Sequence, residues 1–159
     1  MTGEPDAAID VQPDGRVLNV PECPTESTTS VKVRRGQQYF RQAVLNAYQG
    51  RCALTGLAIR DLLVASHIIP WNTAEQHRLD PQNGIALNAL HDKAFDRGLI
   101  TFDTELRLVC ASSLRDHFAD ATVAQHFQAF EGKPLTFPAE AAGPKAEYLE
   151  FHRSAVFGK

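Results

Sequence analysis

The fold of this chain is predicted by residues 62–98, LLVASHIIPWNTAEQHRLDPQNGIALNALHDKAFDRG. The stretch begins with a short apolar run rich in branched residues, which is typical of a buried strand. Asp-Pro and Asn-Gly pairs then indicate a loop with turns, followed by a brief second strand. Asn88 is suited to cap a helix and Gly98 to end it. The predicted order is therefore strand, loop, strand, helix.

Three polar residues lie along this path. His67 ends the first strand, Asn83 precedes the second 16 residues later, and His91 follows on the helix after eight more. They belong to three consecutive blocks, SHIIPW, RLDPQNGIAL and HDKAFDRGLI. Together the blocks resemble the HNH nuclease motif, or ββα-metal finger, and in particular the subgroup of bacterial restriction and phage-defence proteins. The resemblance implies an α+β fold with a ββα-metal core, flanking helices and a β-hairpin.

The same resemblance implies a metal-dependent endonuclease that hydrolyses phosphodiester bonds in DNA. His67 is the candidate general base, because an imidazole titrates near working pH and can take a proton from water. His91 is the candidate metal ligand, since the first turn of a helix disfavours imidazolium and keeps the ring neutral. Asn83 is expected to brace the loop and the base without taking part in the chemistry.

Ser66 departs from the pattern of the family, in which an acidic residue often precedes the base and binds the metal. A neutral hydroxyl is a weak ligand, so we expect weak metal binding in the absence of DNA. Asp92 or Asp96 could supply the missing carboxylate, although capping the turn at Gly98 is the more natural role for Asp96. The expected cofactor is a divalent metal, Mg²⁺ or Mn²⁺ with Ni²⁺ as a further candidate. Imidazole ligation by His91 would favour Mn²⁺ and Ni²⁺.

The charge of the chain is unevenly distributed. The net charge is −3, yet residues 31–60 contain six basic residues and no acidic one. Such a block next to a nuclease-like motif predicts phosphate contacts, although a solvated helix face is the simpler alternative. The candidates for contact with DNA are Arg34, Arg35, Arg41 and, beyond the motif, Arg97.

The length of 159 residues fits one domain with an extended arm. Proline-rich residues 1–30 predict an N-terminal arm or linker, and residues 31–159 predict the nuclease domain around the core motif at 62–98. Besides DNA, candidate partners are an upstream recognition domain or a second copy of the chain. No apolar run is long enough for a membrane span, and residues 1–10 do not resemble a secretory signal, so no membrane partner is expected.

The chain has three isolated cysteines, Cys23, Cys52 and Cys110. Their odd number and the lack of a paired spacing argue against a disulfide framework and against a structural zinc knuckle. A reducing, cytoplasmic location fits this pattern.

Periodicity predicts the elements outside the motif. Residues 31–35 are basic and β-prone, and residues 37–49 carry one apolar face, which indicates a helix. Residues 99–110 alternate around a turn and predict a hairpin. Helices are predicted over residues 114–130 and 144–157.

Two other classes of function remain open from the sequence. The first is a non-catalytic DNA-binding or assembly module that keeps the HNH fold, which the serine at position 66 makes conceivable. The second is an RNA-cutting nuclease of the toxin type, which would prefer structured RNA to duplex DNA.

Overall fold

The computed structural model describes residues 28–159, with side chains from residue 31 onward. Apart from its last three residues, the arm predicted for residues 1–30 lies outside the described residues. Val33–Lys159 forms one compact unit.

Within residues 28–159, the elements follow one another as helices, two pairs of strands and connecting single turns. The helices and strands are α1 (Thr28–Ala47), β1 (Leu63–His67), β2 (Gly84–Asn88), α2 (Ala89–Asp96), β3 (Ile100–Phe102), β4 (Leu108–Cys110), α3 (Ser112–Arg115), α4 (Ala121–His126) and α5 (Ala146–Ala155). Single 3₁₀ turns lie at Arg60–Leu62, Glu75–His77, Pro81–Asn83 and Gln128–Phe130. Among these described residues, no helix has both the length and the apolar character that crossing a bilayer requires.

The predicted strand, loop, strand and helix form the centre of the unit. Strands β1 and β2 pair antiparallel, with His67 opposite Gly84, and α2 packs against both strands. The Asn88 side chain caps α2 by accepting from the backbone N–H of His91 at 2.9 Å. Gly98 ends the helix with a φ of +69°, and a Cβ atom there would lie 2.2 Å from the Val156 carbonyl oxygen. The ββα arrangement predicted from residues 62–98 is confirmed.

The first helix begins earlier than predicted. Residues 31–35, predicted to be β-prone, form part of α1. Branched residues such as Val33 cost only a few tenths of a kcal/mol in a helix. Burial of Phe40 and Val44 farther along α1 stabilises a continuous helix by more than that.

The chain after the hairpin also differs from the prediction. The hairpin β3–β4 is confirmed, but the single helix predicted for residues 114–130 is divided into α3, α4 and a 3₁₀ turn. The division occurs at Asp120, whose carboxylate accepts from the backbone N–H groups of Thr122 and Val123. An aspartate in this position starts a new helix instead of continuing one. The final helix is confirmed as α5.

His152 attaches α5 to the rest of the core. Its ring is 1% exposed and stacks on Phe95 with 3.8 Å between ring centroids. Nε2 donates to the Phe95 carbonyl at 2.9 Å, and Nδ1 accepts from the Thr101 hydroxyl at 2.8 Å. Both bonds require the neutral ring, because protonated Nδ1 cannot accept. Burial lowers the pKa of His152 to about 4.

This buried histidine makes stability depend on pH. The unfolded chain binds a proton near pH 6.5, whereas folded His152 binds one only near pH 4. The free energy of unfolding should therefore fall by up to about 3 kcal/mol as the pH decreases through this interval, and stay constant above it. In His152→Gln this contribution should be absent, which urea denaturation at a series of pH values would measure. His117→Gln, at an exposed position, is the control; equal slopes for His152→Gln and wild type would contradict the assignment.

Candidate active site

His67, the last residue of β1, lies half-buried between two aromatic rings. Phe40 stacks on the imidazole with centroids 3.7 Å apart and 14° between planes, and Trp71 meets it edge-on at 5.4 Å. Nε2 lies 3.1 Å from the carbonyl oxygen of Arg78. Because a carbonyl can only accept, Nε2 carries the proton and Nδ1 keeps its lone pair.

The electrostatic surroundings of His67 favour the neutral ring. Burial lowers the pKa of the imidazole, and the hydrogen bond to the Arg78 carbonyl opposes this only in part. A neutral imidazole with a free Nδ1 is the form that can take a proton from water. The ring also borders a cavity of about 210 Å³. The cavity is lined by Gln37, Phe40, Arg41, Val64, Ala65, His67 and Trp71.

Gly84 makes the close contact between α1 and His67 possible. Its backbone is extended, with a φ of −131°, so the Asn-Gly pair does not serve here as a left-handed turn. A Cβ atom at this position would lie 2.5 Å from Val44 Cγ2 and 2.7 Å from Phe40 Cζ. Glycine is therefore required so that Phe40 can approach the strand and stack on the imidazole.

Asn83 connects the two ends of the β1–β2 loop, residues 68–83. It is 1% exposed, and its Oδ1 accepts from the backbone N–H of Ile69 at 2.8 Å. Its Nδ2 donates to the carbonyls of Ile69 and His77, each at 3.2 Å. Every hydrogen-bonding group of the amide points into the loop, so the side chain stabilises the loop from within.

His91, the predicted metal ligand, is buried and hydrogen-bonded through both ring nitrogens. The ring is 1% exposed, with Phe127 packed edge-on against it at 5.2 Å. Its Nδ1 accepts from Asn88 Nδ2 at 2.9 Å, and its Nε2 donates to the His126 carbonyl at 2.5 Å. Both nitrogens thus make hydrogen bonds, and ligation of a metal by His91, as predicted, would have to replace one of them.

Asp92, the next residue on α2, faces Ser66. Ser66 is buried and points to the opposite side of β1 from His67, because side chains alternate along a strand. Burial raises the pKa of Asp92, a rise to which Asp96 adds, while a hydrogen bond from the Ser66 hydroxyl opposes it. The Ser66 hydroxyl and the Asp92 carboxylate thus lie together, at a position where the sequence predicts only the weak ligand Ser66. Among the described residues, no three His, Cys, Asp or Glu side chains converge on one point.

The four predicted DNA-binding arginines have different surroundings. Arg34 and Arg35 are exposed on α1, and Arg97 is exposed at the end of α2. Arg41 instead donates to the backbone carbonyls of Leu63 and Arg60, at 2.5 and 2.9 Å. Its guanidinium therefore stabilises the start of β1, which does not fit a role dedicated to phosphate.

Comparison with known proteins agrees with this geometry. Residues 52–103 match a family model described as HNH endonuclease. Over these residues the chain is similar to the HNH endonuclease family. The matched residues, called the HNH segment below, contain β1, β2, α2 and β3.

Beyond its HNH segment, the chain is similar in fold to a solved structure, the modification-dependent TagI restriction endonuclease. The similarity has a TM-score of 0.50 at 16% identity and covers 85% of this chain. The chain spans only 40% of the length of that protein. No match is found among curated proteins. The predicted α+β class with an HNH ββα-metal core is confirmed.

One feature of the site is absent from the sequence prediction, and a second appears there only as an alternative. The Arg78 carbonyl is a backbone group, so no residue pattern marks it as the partner of His67. Asp92 is visible in the sequence only as an alternative to His91. Adjacent residues on a helix point in directions about 100° apart. Because His91 is turned toward residues outside the motif, Asp92 is the one of the two that faces Ser66.

Proposed function

We propose that this chain is a metal-dependent endonuclease that hydrolyses phosphodiester bonds in DNA, in restriction or another form of phage defence. The observation that carries the proposal is the tautomer of the His67 imidazole, which lies in the HNH segment. Its Nε2–H is held by the Arg78 carbonyl, and within residues 31–159 its Nδ1 makes no hydrogen bond and can accept a proton. The match of residues 52–103 to a family of endonucleases supports hydrolysis as the reaction.

In the proposed reaction His67 acts as the general base. Water loses a proton to Nδ1 as its oxygen attacks phosphorus, the bond from phosphorus to the 3′ oxygen breaks, and the departing 3′ oxygen takes a proton from solvent water. The hydrogen bond from Nε2 to the Arg78 carbonyl stabilises the imidazolium that forms. Stacking on Phe40 fixes the plane of the ring during this transfer. Asn83 supports the same loop and makes no contact with the reacting atoms.

We propose that Asp92 holds the divalent metal, with the Ser66 hydroxyl beside it. The observation that fits a cation is the partly buried carboxylate, whose pKa is raised by burial and by neighbouring Asp96. A bound cation would supply positive charge to a phosphate of the DNA backbone. Oxygen ligands suit Mg²⁺ and Mn²⁺. A preference for Mn²⁺ and Ni²⁺ was expected from imidazole ligation by His91. It does not follow if Asp92 holds the metal.

DNA is the proposed substrate, with Arg34, Arg35 and Arg97 as phosphate contacts. Their side chains are exposed on the surface, where a DNA backbone could reach them. The TagI protein, which is similar in fold, is a restriction endonuclease of which this chain spans 40%. This supports a separate recognition domain, or a second copy of the chain, as the partner that selects the sequence. Such an enzyme would work in the cytoplasm.

The first prediction tests the base. His67→Gln keeps a donor for the Arg78 carbonyl but cannot take a proton, so plasmid cleavage should fall by roughly 10²–10⁴-fold while DNA binding persists. His117→Gln, an exposed histidine elsewhere on the surface, is the matched control and should cleave normally. Cleavage would be compared in Mg²⁺, Mn²⁺ and EDTA.

The same assay separates the alternatives. Near-normal cleavage by His67→Gln would remove the assignment of the base. DNA binding by wild type without cleavage in any metal would favour the non-catalytic module. Preferential cutting of a structured RNA offered beside the plasmid would favour the toxin-type nuclease.

The second prediction tests the metal site. Asp92→Asn keeps the size of the side chain and a partner for Ser66 but loses the charge, so calorimetric Mg²⁺ binding and cleavage should disappear together. His91→Gln should lower thermal stability, because its buried ring bonds two other groups, while the folded fraction still binds the metal. Metal binding that survives in Asp92→Asn and disappears in folded His91→Gln would restore His91 as the ligand.

The third prediction tests the basic helix. Replacing Arg34 and Arg35 with glutamine should weaken binding to all duplex sequences alike and flatten the dependence of log K on log salt by roughly 0.9 per lost contact. Arg107→Gln, on the β3–β4 hairpin and paired with Glu105, removes one charge as a control. An unchanged slope in the double variant would show that the two arginines form a solvated face.

A further inference from the structure

The β1–β2 loop is tied to α5 by four hydrogen-bonded side chains, His77, Asp80, Lys145 and Tyr148, called here the anchor cluster. Lys145 Nζ and Tyr148 Oη each donate to Asp80 Oδ2 at 2.8 Å. Lys145 Nζ also lies 3.3 Å from Tyr148 Oη, and His77 Nδ1 lies 3.1 Å from the same oxygen. Because the single Tyr148 proton goes to Asp80, His77 Nδ1–H is the donor in the last contact.

The anchor cluster is held by charge. Burial acts to raise the pKa of Asp80, but hydrogen bonds from Lys145 and Tyr148 outweigh it and lower the pKa. The carboxylate is therefore ionised at neutral pH, and its bonds are of the stronger, charge-assisted kind. Tyr148 is 2% exposed, so its hydroxyl has a fixed position between the loop and the helix.

These contacts hold the loop on both sides of Arg78. His77 precedes Arg78, and Asp80 follows it by two positions. Asp80 Oδ1 also accepts from the backbone N–H of Gln82 at 2.9 Å, which caps the turn Pro81–Asn83. The backbone N–H of Lys145 donates to the Gln82 carbonyl at 3.2 Å. The Arg78 carbonyl thus occupies a segment whose position is set by α5.

We propose that Tyr148 and Lys145 are positioning residues for His67. By holding the loop through Asp80 and His77, they fix the Arg78 carbonyl that accepts from His67 Nε2 and so leaves Nδ1 unprotonated. Both residues lie outside the HNH segment, Tyr148 in α5 and Lys145 directly before it. The inference rests on the proposed function, because it assigns to these residues an effect on the proposed general base.

The consequence of losing the anchor follows from the chemistry of imidazole. A neutral ring without a fixed acceptor exchanges its proton between the two nitrogens and turns about its bonds. A smaller share of molecules then presents an unprotonated Nδ1 to water. The loss should appear in the rate of the chemical step and leave the affinity for DNA unchanged.

The test uses the full 159-residue chain with Tyr148→Phe, which removes one hydroxyl, and Lys145→Met, which removes one charge. Long-range ¹H–¹⁵N NMR, recorded above neutral pH on the metal-free protein, reports which nitrogen of His67 is protonated. Both variants should shift the Nδ1 and Nε2 signals toward each other. With Mg²⁺ and plasmid, kcat should fall by roughly tenfold at constant KM, the scale of losing an orienting partner.

Two further variants control for general effects. Arg153→Met removes an α5 side chain that donates to the Phe102 carbonyl and pairs with Glu150, away from the loop. It should lower stability without changing the His67 signals or kcat. Lys145→Arg keeps the charge opposite Asp80 and should preserve both readouts.

The outcomes separate this inference from the proposed function. Unchanged His67 signals in folded Tyr148→Phe and Lys145→Met would overturn the inference, even if cleavage fell. If Tyr148→Phe does not fold, Lys145→Met, at a position whose side chain is 37% exposed, decides by the same signals. If wild type cleaves no DNA, the proposed function fails, while the NMR comparison still decides whether the anchor cluster controls the ring.

Discussion

The antiparallel pairing of β1 with β2 is the constraint on which the rest of the site depends. Side chains alternate along β1, so Ser66 and His67 leave the strand on opposite sides. Helix α2 covers the side of Ser66 and brings Asp92 to it, whereas α1 covers the side of His67 and brings Phe40 to it. A shift of one residue in the register would exchange the two surroundings and separate each group from its partner.

Sequence patterns were sufficient where the decisive interactions are local. Turn pairs, a capping asparagine and a terminal glycine act within a few residues, and they predicted the ββα order. The surroundings of the predicted site residues depend on contacts between distant parts of the chain. His91 is turned inward by the His126 carbonyl, and Arg41 by carbonyls at the start of β1. A pattern of residue types does not contain such backbone partners.

The residues after the HNH segment complete the site. His152 attaches α5 to α2 and β3 through a ring that stays neutral, and Tyr148 on the same helix reaches the β1–β2 loop. Helix α5 therefore contacts α2, which covers the Ser66 side of β1, and also the β1–β2 loop, which holds His67. Its stability and the geometry of the candidate base are linked, because the same element supplies both sets of contacts.

The glycine at position 84 has a consequence for how this protein can vary. Its extended backbone would accept any residue, so the restriction on that position comes only from the volume of Phe40 and Val44 on α1. A methyl group at position 84 would be incompatible with the present helix but compatible with one in which both Val44 and Phe40 had become smaller. Substitutions at position 84 and at these two positions should be epistatic, so a helix outside the strand pair limits which residues the motif can contain.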